Sequence, residues 1–247
     1  MISTLKSLKP WLDAGLSFVY PEVCQICGAE RASASEGFVG PLCWEKVRFI
    51  QPPFCARCGL PYEGDITTTF ECHNCKEMEL HFRTARSAVT AEGMVLDIVH
   101  RYKYQRHMWF EAFLADLLIR QAAKILTQEQ WDMIIPVPLH PAKQHEREFN
   151  QAERLAARLS LATGIPVNKK LLQRVEPTRT QTQLSRNERM ANVGKAFSLR
   201  STQGLNGKKL VILDDVFTTG ATTSACAKLL KPAGVADICV WTVARGL

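Results

Sequence analysis

Apolar and polar positions recur along this chain with periods that identify most of its elements. Near the start, Leu5, Leu8, Trp11, Leu12, Leu16 and Val19 fall at helical spacing. They predict an amphipathic helix that packs on its own protein or lies on a membrane surface. Residues 83–92 read as an entry strand. Between 109 and 126, Phe110, Phe113, Leu114, Leu117, Leu118, Ala122 and Ile125 form one helical face. The run Met133-Ile134-Ile135-Pro136-Val137-Pro138 reads as a buried strand that ends in a proline-bounded loop. Residues 153–162 read as a helix stopped by Gly164. Residues 171–196 are polar and rich in Arg, Thr and Gln, with a short helix expected near 186–190. A strand at 209–213, a helix at 222–230 and a strand at 238–243 complete the pattern. Strands that alternate with helices predict an α/β fold, a parallel sheet with helices on both faces.

The first 82 residues follow no such rhythm, and seven of the nine cysteines lie in residues 24–75. Cys24-Gln-Ile-Cys27-Gly28 is repeated 31 residues later as Cys55-Ala-Arg-Cys58-Gly59. This is an internal repeat. The second copy continues to Cys72-His-Asn-Cys75, giving C-x2-C-x13-C-x2-C. Each C-x2-C turn aims two thiolates at one point, and two such turns make the tetrahedral four-sulfur site that zinc prefers. The glycine after each turn suits a left-handed backbone. In the first copy Gly40 stands where the fourth cysteine is expected, leaving Cys24, Cys27 and Cys43. A histidine, an acid or water would have to complete that site, with His73, His81 and Glu36 as candidates. One zinc is therefore expected and a second is open. A closed four-thiolate site leaves no position for a substrate and is structural; in so small a segment metal takes the place of a core.

The chain has 247 residues, which allows one or two domains, and its composition is globular. No apolar run approaches the length needed to span a bilayer, and the start lacks the pattern of a secretory signal. A cytoplasmic setting is expected, where clustered cysteines serve metals rather than disulfides. The formal charge of +7 is unevenly spread: residues 1–82 hold 7 Lys+Arg against 10 Asp+Glu, whereas residues 83–247 hold 24 against 14. A boundary is placed between these segments, with the positive field in the second favouring phosphorylated ligands or nucleic acid.

The chemistry is concentrated in Leu210-Val211-Ile212-Leu213-Asp214-Asp215-Val216-Phe217-Thr218-Thr219-Gly220-Ala221-Thr222-Thr223. A short apolar strand is expected to end at the two acids, followed by a loop and then a helix. The backbone N–H groups of Thr218, Thr219, Gly220, Ala221 and Thr222, with the helix dipole, suit a phosphate. The threonine hydroxyls add donors, and Gly220 allows close backbone approach. Asp214 and Asp215 would repel that phosphate, so they are assigned to sugar hydroxyls or to magnesium, as the catalytic pair. Together these residues describe a ribose 5-phosphate pocket at the carboxyl end of a strand. The chain has neither G-x4-G-K-[ST] nor G-x-G-x-x-G after a strand, which argues against a P-loop or dinucleotide site. Cys226 and Cys239 read as small buried residues.

The segment Val211–Thr223 resembles the phosphoribosyl diphosphate (PRPP) loop of type I phosphoribosyltransferases. The whole chain resembles the ComF family, a double zinc ribbon joined to a phosphoribosyltransferase domain. Further family-like stretches are Ile135 to His140, Arg147-Glu148-Phe149-Asn150-Gln151, and Thr178 with Gln181, Leu184, Ser185, Arg189, Asn192 and Phe197. Two departures stand out: Glu148 where the family usually has glycine, and Gly40. The resemblance implies a pyrophosphate loop at Pro136, Val137, Pro138 and Leu139, with exposed N–H groups and Lys143 or Arg147 nearby. It also implies a hood over the site at 174–192, where Arg174, Arg179, Gln181, Arg186 and Arg189 close over a diphosphate beside Arg147. PRPP with magnesium is the implied ligand. The implied role is cytoplasmic handling of single-stranded DNA in natural competence, beside a helicase. Two other readings stay open: a metabolic transferase that makes a nucleotide from a free base, and a nucleic-acid-binding or regulatory module that kept the pocket. Tyr102, Tyr104, Trp109 and Phe149 are candidates for base stacking, since Arg101 to Arg106 interleaves aromatic and basic side chains.

Overall fold

The computed structural model describes residues 22–62, 64, 68–176 and 196–247. The amphipathic helix expected at 5–19, the short helix near 186–190 and the hood residues Arg179, Gln181, Arg186 and Arg189 lie outside the described residues. The elements in chain order are two short helices, α1 (Pro41–Trp44) and α2 (His73–Glu77), then β1 (Thr84–Thr90), α3 (Gly93–Tyr104), α4 (Glu111–Glu129), β2 (Met133–Pro136) and α5 (Pro141–Arg147). They continue with α6 (Gln151–Thr163), β3 (Leu172–Arg174), β4 (Phe197–Leu199), β5 (Lys209–Phe217), α7 (Ala221–Leu230) and β6 (Asp237–Arg245).

Four strands form a parallel sheet in the order β1-β6-β5-β2, while β3 and β4 pair antiparallel beside it. The strands of the main sheet are buried on both faces, as a parallel sheet requires. Alternation along β5 divides its side chains between two cores. Val211 and Leu213 join Ile98 and Tyr102 of α3, Phe113 and Leu117 of α4, and Leu155 and Leu159 of α6. Leu210 and Ile212 join Leu172, Phe197 and the α7 residues Cys226, Ala227 and Leu230. Each fully buried Leu, Ile or Phe contributes about 1.5–3 kcal/mol.

The cysteine-rich copies belong to these same cores, one on each side. Cys24, Ala32, Val39 and Cys43 share the core of α4, where Trp44 meets Phe113 edge-on at 4.8 Å. Cys55, Cys58, Cys72, Cys75, Leu80 and Phe82 share the core beneath α7. Gly28 and Gly59, at equivalent places in the repeat, both have φ of 67°, the left-handed turn that the sequence predicts.

One expectation changes. β5 does not stop before the acids but runs on to Phe217, because β6 keeps pairing with it: Asp214 with Thr242, Val216 with Ala244 and Phe217 with Arg245. The segment after β1 is a helix, α3, and the Tyr102-Lys103-Tyr104 stretch is its last turn.

Candidate phosphate site and zinc centres

At the carboxyl ends of β5 and β2 lies a cavity of about 490 Å³, lined by Asp214, Asp215, Thr218 and Thr222 together with Lys103, Lys143, Arg147 and Arg174. A cleft of about 60 Å³ adjoins it, walled by Asp214, Val216 and residues 217–223. That is room for about two waters or one small anion. The cleft is the turn between β5 and α7. Gly220 caps α7 with φ of 79°. The glycine is required twice, by that backbone conformation and by the Phe217 ring, whose Cζ would lie 2.5 Å from a Cβ added at Gly220. Among the described residues no acceptor engages the N–H groups of Thr219, Gly220 or Thr222, and Ala221 N reaches only Thr219 Oγ1, at 3.4 Å. These amides and the start of α7 present a positive end to the cleft.

The acids stand above it. Asp214 and Asp215 alternate along β5 yet both open into the cavity. Each accepts a main-chain bond: Asp215 N donates to Asp214 Oδ1 at 2.9 Å, and Val216 N to Asp215 Oδ1 at 2.8 Å. Lys103 Nζ lies 2.7 Å from Asp215 Oδ2, with side chains 19% and 9% exposed. Burial and the neighbouring Asp215 push the Asp214 carboxyl up to about 8. Burial opposes the charge on Lys103, but Asp215 and Asp214 outweigh it and hold the ammonium above its ordinary range. α3 aims Lys103 because Tyr102, one residue earlier, is fully buried with its hydroxyl 3.5 Å from Glu111 Oε2. Glu111 is itself held by Arg154 and by Arg158 Nε at 2.9 Å, the pairing a buried carboxylate needs.

The opposite wall is basic. Arg147 lies 4.7 Å over the Tyr104 ring and Arg174 5.3 Å over Phe197. Burial, then the charges of Arg174 and Arg147, lower the Lys143 ammonium below its ordinary range. Gln151 also lines the cavity, and its buried Nε2 has no hydrogen-bond partner among the described residues. The expected pyrophosphate loop needs correcting. Pro136 and Pro138 carry no N–H, and Val137 N already donates to Leu213 O at 2.9 Å. Val137 O accepts from Asn150 Nδ2 at 3.0 Å, while Asn150 Oδ1 caps α6. Of the loop's four residues, Leu139 alone retains an amide uncommitted among the described residues, and the basic side chains on this part of the cavity are Lys143, Arg147 and Arg174. Glu148 takes φ of 67° after α5 and pairs with Arg106 at 2.7 Å. That backbone conformation is the one glycine enters most cheaply.

Of the four aromatic candidates, Tyr102 and Phe149 are packed on each other at 5.1 Å. Tyr104 is 61% exposed, beside His100 at 4.8 Å, and Trp109 stacks on His107 at 4.3 Å. Lys103, His100 and Gln151 line the cavity but were not assigned to it from the sequence, although Lys103 lies in the aromatic–basic stretch and Gln151 ends the family-like stretch that begins at Arg147. The signal for the first two was present as Val95, Ile98, Val99 and Tyr102, one face of a helix that would carry Lys103 at its end.

The cysteines cluster as the repeat requires. Cys55, Cys58, Cys72 and Cys75 have ligand atoms within 4.8 Å of one another, with Cys55 and Cys75 sulfurs 3.8 Å apart and Cys58 and Cys72 sulfurs 3.6 Å apart. Tetrahedral zinc with 2.3 Å bonds to sulfur sets sulfurs about 3.8 Å apart, so this donor set fits zinc. The first cluster is Cys24, Cys27, Cys43 and an acid, but none of the acids or histidines expected: it is Glu30. Glu36 is turned to Ser33, whose N donates to Glu36 Oε2 at 2.7 Å, and His73 pairs with Glu77 at 3.0 Å. Cys226 and Cys239 are buried, and burial raises both thiols. No helix among the described residues is long and apolar enough to cross a membrane.

A closed thiolate cluster fused to a parallel sheet, with a cleft at the strand ends, defines a zinc-ribbon α/β protein. The double zinc ribbon family model matches residues 15–78. Competence protein F of Haemophilus influenzae is 34% identical over 203 residues, 78% of this chain and 85% of that protein. DNA utilization protein YhgH of Salmonella typhimurium is 31% identical over 231 residues, 92% of this chain and 98% of that protein. The chain belongs to the ComF family. Among solved structures, the purine phosphoribosyltransferase of Pyrococcus horikoshii is 22% identical with a TM-score of 0.36, covering 54% of this chain and 83% of its own. Adenine phosphoribosyltransferase of Saccharomyces cerevisiae is 13% identical with a TM-score of 0.38, covering 58% and 72%.

Proposed function

We propose that this chain binds PRPP, or a nucleotide with the same ribose 5-phosphate, together with magnesium. One observation carries the reading: uncommitted amides at 219, 220 and 222 face an anion-sized cleft that opens onto the Asp214 and Asp215 carboxylates. The 5-phosphate sits on those amides and the threonine hydroxyls, and the acids accept from the ribose hydroxyls. The diphosphate lies toward Lys143, Arg147 and Arg174. Magnesium, held at the acids and the diphosphate oxygens, would supply charge neutralisation for a departing diphosphate. If turnover occurs, the anomeric carbon gains oxocarbenium character and water must be kept out.

The relatives named for competence and DNA utilization support a role in cytoplasmic handling of single-stranded DNA, with a helicase as the proposed partner. Exposed Tyr104, between His100 and Arg147, supports base stacking at the mouth of the cavity. Titration calorimetry with PRPP and magnesium tests the core of this proposal. Binding is expected for the parent chain and a loss of at least about 10-fold for Gly220→Val, since the loop cannot form around Phe217. Absence of PRPP binding by the folded parent would remove the reading. Diphosphate release on adding one base would identify a transferase, and DNA binding indifferent to Asp214→Asn would identify a module that uses another face.

A further inference from the structure

The two ribbon copies superimpose in their bonding, one position excepted. Cys24 and Cys43 sulfurs lie 3.7 Å apart, as Cys55 and Cys75 do at 3.8 Å. Gly40 N donates to Cys24 Sγ at 3.3 Å, and Cys72 N to Cys55 Sγ at 3.2 Å. Gly40 and Cys72 each cap the short helix that carries the last cysteine, in the same extended conformation, with φ of −82° and −67°. Gly40 is therefore the lost cysteine, and its backbone does not require glycine. What requires glycine is space. A Cβ at Gly40 would lie 2.7 Å from Glu30 Oε1 and closer still to Glu30 Cδ and Cγ. Glu30 Oε1 stands 3.5 Å from Cys27 Sγ, where the second copy has Cys58 and Cys72 at 3.6 Å.

We infer that the first ribbon holds a second zinc ion through Cys24, Cys27, Cys43 and the carboxylate of Glu30, which fills the place of the missing thiolate from the opposite side. Zinc bonds of about 2.3 Å to sulfur and about 2.1 Å to oxygen put tetrahedral sulfur and oxygen ligands about 3.6 Å apart, which matches the Cys27–Glu30 separation. Oxygen is a harder ligand than thiolate, so this ion is released before the one on four sulfurs. Glu30 also accepts from Leu42 N at 2.9 Å and Cys43 N at 3.2 Å. Those bonds orient the carboxylate toward the cluster, and by themselves they would make Glu30 only a helix cap.

The test separates cap from ligand. A glutamine at this position still accepts from Leu42 N but is a poor zinc ligand. The full chain is purified with zinc, metal per chain is measured during graded EDTA challenge, and the cobalt-substituted protein is examined by absorption. The parent is expected to hold two zinc ions and release them in two steps. Glu30→Gln is expected to lose the first with affinity down by more than the roughly 10–100-fold that an outer-shell change costs. Glu30→Ala/Gly40→Cys, with four sulfurs restored, is expected to hold two ions that leave together. Its cobalt form should gain one thiolate's share of sulfur-to-metal absorption. One zinc per parent chain would overturn the assignment, as would a Glu30→Gln protein that holds and releases two as the parent does. Should Glu30→Gln fail to fold, a double variant with the parent's two-step release and unchanged cobalt spectrum has the same force.

Discussion

Arg245 stands with Nη2 3.7 Å from Cys58 Sγ. Through Nη1 the same guanidinium donates to the carbonyls of Phe217 at 3.1 Å, Thr218 at 2.5 Å and Gly246 at 2.7 Å, and it lies 4.7 Å over the Phe217 ring. A planar fork with five donors reaches both sides at once. One buried side chain thus ties the four-thiolate cluster to the loop that walls the cleft between β5 and α7. Arg245→Met keeps much of the volume and removes every donor; Phe217 O keeps its bond from Gly246 N at 2.9 Å, but the carbonyls of Thr218 and Gly246 lose their donor at about 1–3 kcal/mol each. The expected result is a melting temperature lower by roughly 10 °C, with weaker PRPP binding and faster loss of zinc from Cys55, Cys58, Cys72 and Cys75. A variant that melts as the parent does and keeps both ligands would break this link.

Asp214 sets a pH dependence whose sign follows from its raised carboxyl, at about 8. Between the ordinary carboxylate range and pH 8 the folded chain holds a proton that the unfolded chain does not, so stability falls as pH rises through that window. Asp214→Asn is expected to melt several degrees above the parent at pH 9, with the gap closing toward pH 4. Binding runs the other way. Magnesium-dependent PRPP affinity should rise with pH up to about 8, close to tenfold per unit, and Asp214→Asn should lose that slope.

Lys103 and Asp215 form a buried pair, and breaking one partner of such a pair costs about 3–5 kcal/mol. Lys103→Met should therefore unfold at clearly lower denaturant. The double change with Asp215→Asn should recover much of the stability, because no lone charge stays buried, while PRPP binding stays lost in both. Denaturant titration and calorimetry on the same samples check the two halves separately.

Zinc removal should unfold more than the ribbons. The four-thiolate cluster shares its core with Leu210, Ile212 and Leu230, so Cys55→Ser is expected to lower the melting temperature of the sheet itself. Near-ultraviolet signals from Trp241, buried on β6, report that transition. A sheet that melts unchanged would mean the ribbons fold independently of it.

Tyr104→Ala tests DNA contact at the cavity mouth. Stacking of one base contributes about 1–3 kcal/mol, so affinity for single-stranded oligonucleotide should fall about 10-fold or more. Unchanged DNA affinity would remove this surface from the proposal.

Much of the architecture was legible because it rests on local periodicity. The helix at Glu111–Glu129 and the strand cores at β2, β5 and β6 follow from apolar spacing alone, and the cysteine repeat announces its metal cluster by count. The end of β5 was misread because two adjacent acids look like a loop, whereas the partner strand extends pairing through them. The proline-bounded loop after β2 promised amides, but the sheet consumes the one at Val137.

The amino-acid order by itself determined the element types, the thiolate pairs and the composition of the loop between β5 and α7, since each depends on residues a few positions apart. Only the tertiary structure decided that Lys103 meets Asp215, that Arg245 meets Cys58, and that Glu30 reaches the cluster Gly40 left incomplete. Those contacts join segments brought together by burial and hydrogen bonding in three dimensions, and no spacing along the chain encodes them.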